Sequence, residues 1–171
     1  MSGLEAMFGD GGYEESTHEE QQEFAIRRVT GTKFKYHQDG TLPSYPCFFV
    51  FGSNLSGIHG AGAAKAAMDR FYAERYVGFG FTGHSYAIPT KDYLIETMPL
   101  EEIKPFIRQF VHITQNQRYK KFFVTRVGCG LAGFKDSEIA PLFRGCSVDN
   151  VSMPDTWKEY LEYDVTKSNQ V

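Results

Sequence analysis

Cysteine, net positive charge and uninterrupted apolar stretches are all scarce in this sequence. Its three cysteines, Cys47, Cys129 and Cys146, are odd in number, far apart and free of CxxC or Cys/His spacing. That pattern excludes a disulfide framework and a zinc site, and it fits reduced thiols in the cytoplasm. No metal site is visible and no resident cofactor is expected. Eighteen Lys and Arg stand against 21 Asp and Glu, for a formal charge of −3. General coating of DNA or RNA is thereby disfavoured, because phosphate neutralisation drives that affinity. No apolar run approaches the ~18 residues a membrane span needs. Nor does the start carry a basic stretch followed by an apolar one. The expectation is a soluble, intracellular chain with no membrane partner.

What is present is globular: 42% hydrophobic and 15% aromatic residues within 171, enough to bury the core of one domain. Residues 1–42 read as an appendage, glycine-rich at first and then a polar helix over 13–28 with Phe24, Ala25 and Ile26 as its apolar cluster. Pro43 and Pro46 mark entry to a domain spanning 43–171. There, CFFVFG (47–52) reads as a buried strand and residues 63–76 as a helix with Ala64, Ala67, Met68, Phe71 and Tyr72 on one face. HSYAIPTKD (84–92) alternates like a strand. Pro99 suits the first turn of a long helix, and Pro105 sits early enough not to break it. KFFVTRV (121–127) and VDNVSMP (148–154) are further strands. A helix capped by Asp136 or Ser137 lies between them, and the tail around Trp157 is a further helical candidate. Strand, glycine loop and helix in repetition predict a three-layer α/β domain with a mixed, mostly parallel sheet.

Both glycine loops fall at strand carboxyl ends, where such sheets bind ligands. The first holds Gly52, Gly57, Gly60 and Gly62; the second holds Gly128, Gly130 and Gly133, and each precedes a helix. Glycine lets backbone amides approach a phosphate, and a following helix start helps to hold it. Two such loops suit a diphosphate, although either alone reads as well as a tight turn. The first loop lacks GxxxxGK[ST] and is no Walker loop. The second satisfies GxGxxG after a strand, but fewer than forty residues follow it, and a Rossmann fold normally places this loop at its first strand.

The segments FVFGSNLSGIHGAGAAKAA and TRVGCGLAGFKDSEIAPLF resemble the two ligand loops of macro domains. SYAIPTKD is similar to the strand and lysine segment of the branch that removes ADP-ribose from DNA bases or protein carboxylates. The likeness spans roughly residues 47–154, and phage and bacterial proteins share GSNLxGxHGxGAA, SYAIPTKD and GCGLAG. The resemblance implies an ADP-ribose-like ligand, with an ADP-ribosylated nucleobase as one acceptor. Asn54 would meet the distal ribose. Gly52, Ser53, His59, Gly60, Ala61 and Gly62 would line the first loop, with Thr90 beside them. Gly128, Cys129, Gly130, Leu131, Ala132, Gly133 and Phe134 would cradle the diphosphate. Lys91 would attack or polarise the anomeric carbon. Ala132 stands near where carboxylate-directed enzymes have an aspartate, which favours the base-directed type or a pure binder. No Gly-Asp-Ile segment precedes Cys47, which leaves a nucleoside other than adenosine, or a cyclic ADP-ribose derivative, open.

Other residues read two ways. His59 and His84 would contact phosphate or ribose, or serve as bonded loop histidines; His18, His37 and His112 read as structural or surface residues. Cys129 is a nucleophile only if activated, and otherwise a small turn filler. Asp136 reads as a base or a cap, Arg126 as a phosphate guide or an ion-pair partner, and Phe134 as a cover for base or ribose. The functions expected are hydrolysis of an ADP-ribosyl linkage, sequestration of a NAD-derived signal as in phage counter-defence, or a scaffold without a nucleotide site.

Overall fold

The computed structural model describes residues 34–162. The helix expected over 13–28 lies outside them. Six strands form one sheet: β1 (Lys35–His37), β2 (Phe48–Asn54), β3 (Gly80–Thr82), β4 (Ser85–Lys91), β5 (Phe122–Val124) and β6 (Val151–Pro154), in the order β1-β6-β5-β2-β4-β3. Every pairing is parallel except β3 with β4, which is antiparallel. The sheet therefore begins upstream of Pro43, with β1 on its edge.

Side chains alternate across this sheet as the period of a strand requires. Val50, Tyr86, Ile88, Phe122, Val124, Val151 and Met153 point into a large core. That core is shared with Ile103, Ile107 and Phe110 of helix α2 (Leu100–Asn116). Phe49, Phe51, Ala87 and Phe123 face the other way, onto Ala67 of helix α1 (Gly62–Arg70). Complete burial of each large apolar chain contributes about 1.5–3 kcal/mol, so both faces are anchored by their strands. The result is an α/β arrangement in three layers. No helix among the described residues is long and apolar enough to cross a membrane.

α1 is shorter than its apolar periodicity predicts. Phe71 and Ala73 both donate to the carbonyl of Ala67, and between them Tyr72 adopts φ 58°. That left-handed residue ends the helix where glycine commonly does so. α2 begins just after Pro99, which flanks its first turn, and Pro105 lies inside without interrupting it. Downstream come a short helix α3 (Asp136–Ile139), a 3₁₀ turn (Ala140–Phe143), a second 3₁₀ turn (Asp155–Trp157) and α4 (Lys158–Leu161).

Candidate functional site

The carboxyl ends of β2, β4 and β5 are neighbours, and β2 is central to them. The chain leaves β2 to one side for β4 and returns on its other side as β5. Open parallel sheets bind ligands at such a switch. A cleft of about 640 Å³ opens there, within the usual range for small-molecule sites.

The first loop forms one wall. The register of β2 with β4 shifts between Ser53 and Asn54, which sets Asn54 opposite Lys91 in the sheet. The Asn54 side chain then clasps the Ile58 backbone, donating from Nδ2 to its carbonyl and accepting its N–H at Oδ1. Behind the loop, the Tyr76 N–H donates to Gly57 O at 2.8 Å, and Ser53 Oγ donates to Gly78 O. Gly57 permits this: a Cβ there would lie 2.3 Å from the Tyr76 carbonyl carbon, and its φ is +66°. The loop delivers its chain to α1, whose N-terminus has no side-chain cap and no acidic residue in its first turn. The amides of Gly60, Ala61, Gly62, Ala63 and Ala64 have no acceptor among the described residues, and all five residues line the cleft.

The second loop forms the facing wall. It folds on itself through Phe134 N–H to Gly128 O at 2.9 Å and Gly133 N–H to Gly130 O at 3.1 Å. The amides of Gly128, Gly130, Leu131 and Ala132 are left without acceptors among the described residues, and these four residues line the same cleft. The end of β2 and the second loop lie close: a Cβ on Gly52 would lie 3.4 Å from Gly128 N. Unpaired amides on residues that line one concavity, beside an uncapped helix start, suit an anion with several oxygens.

At one end stands Lys91, half-buried, with no ion pair or hydrogen bond to its ammonium among the described residues. Thr90 lies behind it, donating from Oγ1 to Ser53 O at 3.3 Å. The other end is made by residues read from sequence as appendage: His37, Asp39, Gly40, Thr41 and Leu42. His37 stacks on Phe123, with centroids 3.6 Å apart, and its Nδ1 is 2.7 Å from Ser152 Oγ. Burial lowers its pKa, against smaller opposing effects from the Val124 backbone, Asp155 and Asp39. Asp39 accepts from Arg126 at 3.5 Å. These residues escaped sequence reading, which had no reason to fold 34–42 back beside β6. The only local cue was the turn pair Asp39-Gly40 after the three strand residues.

Several expected site residues stand elsewhere. His59 is buried behind the loop, edge-on to Phe51 at 5.1 Å, with Nε2 bonded to Val77 O; it does not line the cleft. Burial lowers its pKa, outweighing backbone hydrogen bonds. Cys129 turns away to Val127 O, and burial together with Asp136 pushes its thiol up to about 12. A thiol that rarely ionises is no nucleophile at neutral pH. Gly133 closes the second loop, and Phe134, half-buried, packs against the large core and does not line the cleft. Asp136 neither caps its helix nor stands free as a base. It receives a two-pronged contact from Arg126, at 2.9 and 2.8 Å, and a 2.8 Å bond from Trp157 Nε1. Arg126 lines the cleft but is bound by that pair. His84 is exposed against Tyr72, with ring centroids 5.3 Å apart, and is absent from the cleft lining.

The chain matches no protein-family model, no curated protein and no solved structure.

Proposed function

We propose that the cleft binds ADP-ribose or a related NAD-derived nucleotide and supports hydrolysis of an ADP-ribosyl linkage at its Lys91 end. The observation that carries this reading is the set of unpaired amides that both glycine loops and the start of α1 present to one cleft. A diphosphate supplies enough oxygens to use donors on both walls at once; a single phosphate would leave one wall idle. With the diphosphate so placed, one sugar extends toward Lys91 and the nucleoside toward His37 and Asp39. Lys91 is the group for the anomeric carbon, and its ammonium has no competing partner among the described residues. Asn54 serves by holding the loop, since both ends of its amide are bonded to Ile58. The macro-like reading of the fold rests on the same site and on the sequence resemblance.

A second reading has its own support. No carboxylate lines the Lys91 end among the described residues, and Ala132 is there in place of one. A site with one lysine and no partner base suits a protein that sequesters a nucleotide signal in the cytoplasm without turnover.

Calorimetric titration with ADP-ribose, cyclic ADP-ribose isomers and NAD tests the proposal. Micromolar binding of any of them supports it. No heat and no thermal shift with all of them sinks it, leaving the glycine loops as turns in a scaffold.

A further inference from the structure

Of the four exposed large apolar residues that line the cleft, Leu42 stands at the His37 end and the other three come from loops joined around Lys91. Those three, Ile58, Ile95 and Leu131, are 40, 42 and 76% exposed. Tyr93 and Leu94, in the turn that carries Ile95, are 71 and 80% exposed. Each of the three residues comes from a different loop, and the loops are tied together around Lys91. Ser56 Oγ donates to Tyr93 O at 2.6 Å, joining the first glycine loop to the 92–97 turn. Thr97 Oγ1 donates to Ala132 O at 3.1 Å, joining that turn to the second loop. The Leu55 N–H donates to Lys91 O at 2.9 Å, and Lys91 bridges to Thr97.

The turn is also held rigid in an unfavourable shape. Ile95 has φ 64°, a region where a β-branched residue is an outlier. Asp92 fixes it there: its Oδ1 accepts from the Leu94 and Glu96 amides, its N–H donates to Glu96 O and its carbonyl accepts from the Ile95 N–H. Burial offsets little of this strain, because Tyr93, Leu94 and Ile95 are all exposed. Strain of this kind in a cleft wall is a pointer to ligand contact.

We infer that Ile58, Ile95 and Leu131 form a specificity collar for an uncharged, flat group carried on the sugar at the Lys91 end. The inference rests on the nucleotide reading above. Charge decides the class of group. A cationic ring would face the Lys91 ammonium as a like charge. A carboxylate would pair with Lys91 and gain nothing from three apolar neighbours. A neutral heteroaromatic ring buries its faces against the collar and meets no unpaired charge.

Binding calorimetry on the full chain with three probes tests this: ADP-ribose, which has no ring on that sugar; NADH, with a neutral ring; and NAD, with a cationic one. NADH is expected to bind about tenfold more tightly than ADP-ribose, and NAD no more tightly than ADP-ribose. An Ile58→Ser/Ile95→Asn variant should lose that advantage and keep its affinity for ADP-ribose. Asparagine tolerates the left-handed backbone, so this variant should melt no lower than the Ile58→Ser single variant. NADH binding no better than ADP-ribose, or a variant that weakens both alike, overturns the collar and leaves the nucleotide site standing. Failure of all three probes with the unmodified chain overturns the collar, and failure of the cyclic ADP-ribose isomers as well overturns the nucleotide site.

Discussion

The side-chain amide of Asn54 grips both backbone groups of Ile58, with Nδ2 donating at 2.8 Å and Oδ1 accepting at 3.0 Å. Asn54 is 7% exposed and is the last residue of β2, so the clasp transfers the rigidity of the sheet to the first ligand loop. Asn54→Ala removes both bonds and should destabilise the chain by about 1–3 kcal/mol. Urea denaturation measures this. Asn54→Asp keeps the acceptor but sets a carboxylate against the Ile58 carbonyl, and should recover little. If Asn54→Ala weakened nucleotide binding with no change in stability, the residue would be a ligand contact and not a brace.

Lys91 separates the two functional readings. If its amine acts on the sugar, Lys91→Ala should lower turnover of an ADP-ribosylated substrate by about 100-fold or more while ADP-ribose affinity stays within a few-fold. Single-turnover kinetics beside calorimetry resolves the two effects. A protein that only sequesters the nucleotide shows no turnover before or after the change.

Asp136 joins the second loop's base to the C-terminal segment through Arg126 and the wholly buried Trp157. Asp136→Ala leaves the indole N–H buried without its partner and Arg126 without its main counter-charge. The expected loss is about 2–4 kcal/mol. Burial alone would raise the Asp136 pKa, but the bonds from Arg126 and Trp157 hold it below the ordinary carboxylate value. Its contribution is therefore complete above the unfolded value near about 4 and disappears as pH falls through the lower folded value. Asp136→Asn should flatten the acid limb of a stability-versus-pH curve.

His37 and His59 act in a higher window. Burial lowers both folded pKa values, against opposing contributions from nearby backbone groups and, for His37, from Asp155 and Asp39. Below the unfolded value of about 6.5, the unfolded chain takes up protons that the folded chain refuses. Stability should thus be highest above about pH 6.5 and fall on acidification toward the lower folded values. Denaturation at several points from neutral to mildly acidic pH tests this, and His37→Gln with His59→Gln should remove much of the slope. A slope unchanged in the double variant would place its origin elsewhere.

The central strands were legible because their side chains must alternate between two cores: Phe49 and Phe51 to one, Val50 to the other. Edge strands were not. Lys35–His37 and Gly80–Thr82 are three residues each and lack the flanking apolar run that marked the equally short β5, and the sheet itself recruits them. In the same way, the glycine loops announced a backbone site through composition, and the cleft brings most of their residues together. What Asn54, His59 and Asp136 do depends on where each side chain turns after folding. That direction is set by Ile58, Val77 and Arg126; the sequence offered Arg126 as an ion-pair partner, but not Asp136 as its mate.

The two glycine loops offer a final discrimination between a ligand site and a set of turns. At Gly57 a side chain would collide with the Tyr76 backbone at 2.3 Å in a left-handed conformation. Gly57→Ala should therefore lower stability by about 2 kcal/mol or more whatever the function. At Gly130 a Cβ meets nothing within 4 Å, and the backbone is not left-handed. Gly130→Trp should leave stability within about 0.5 kcal/mol, as an exposed substitution does. Yet its side chain would stand beside amides left free by the fold, at the mouth of the cleft. Lost ADP-ribose binding with an unchanged melting temperature is the expected result. If Gly130→Trp bound ADP-ribose as well as the parent, the second loop would not be part of the site, and the cradle would reduce to the start of α1 alone.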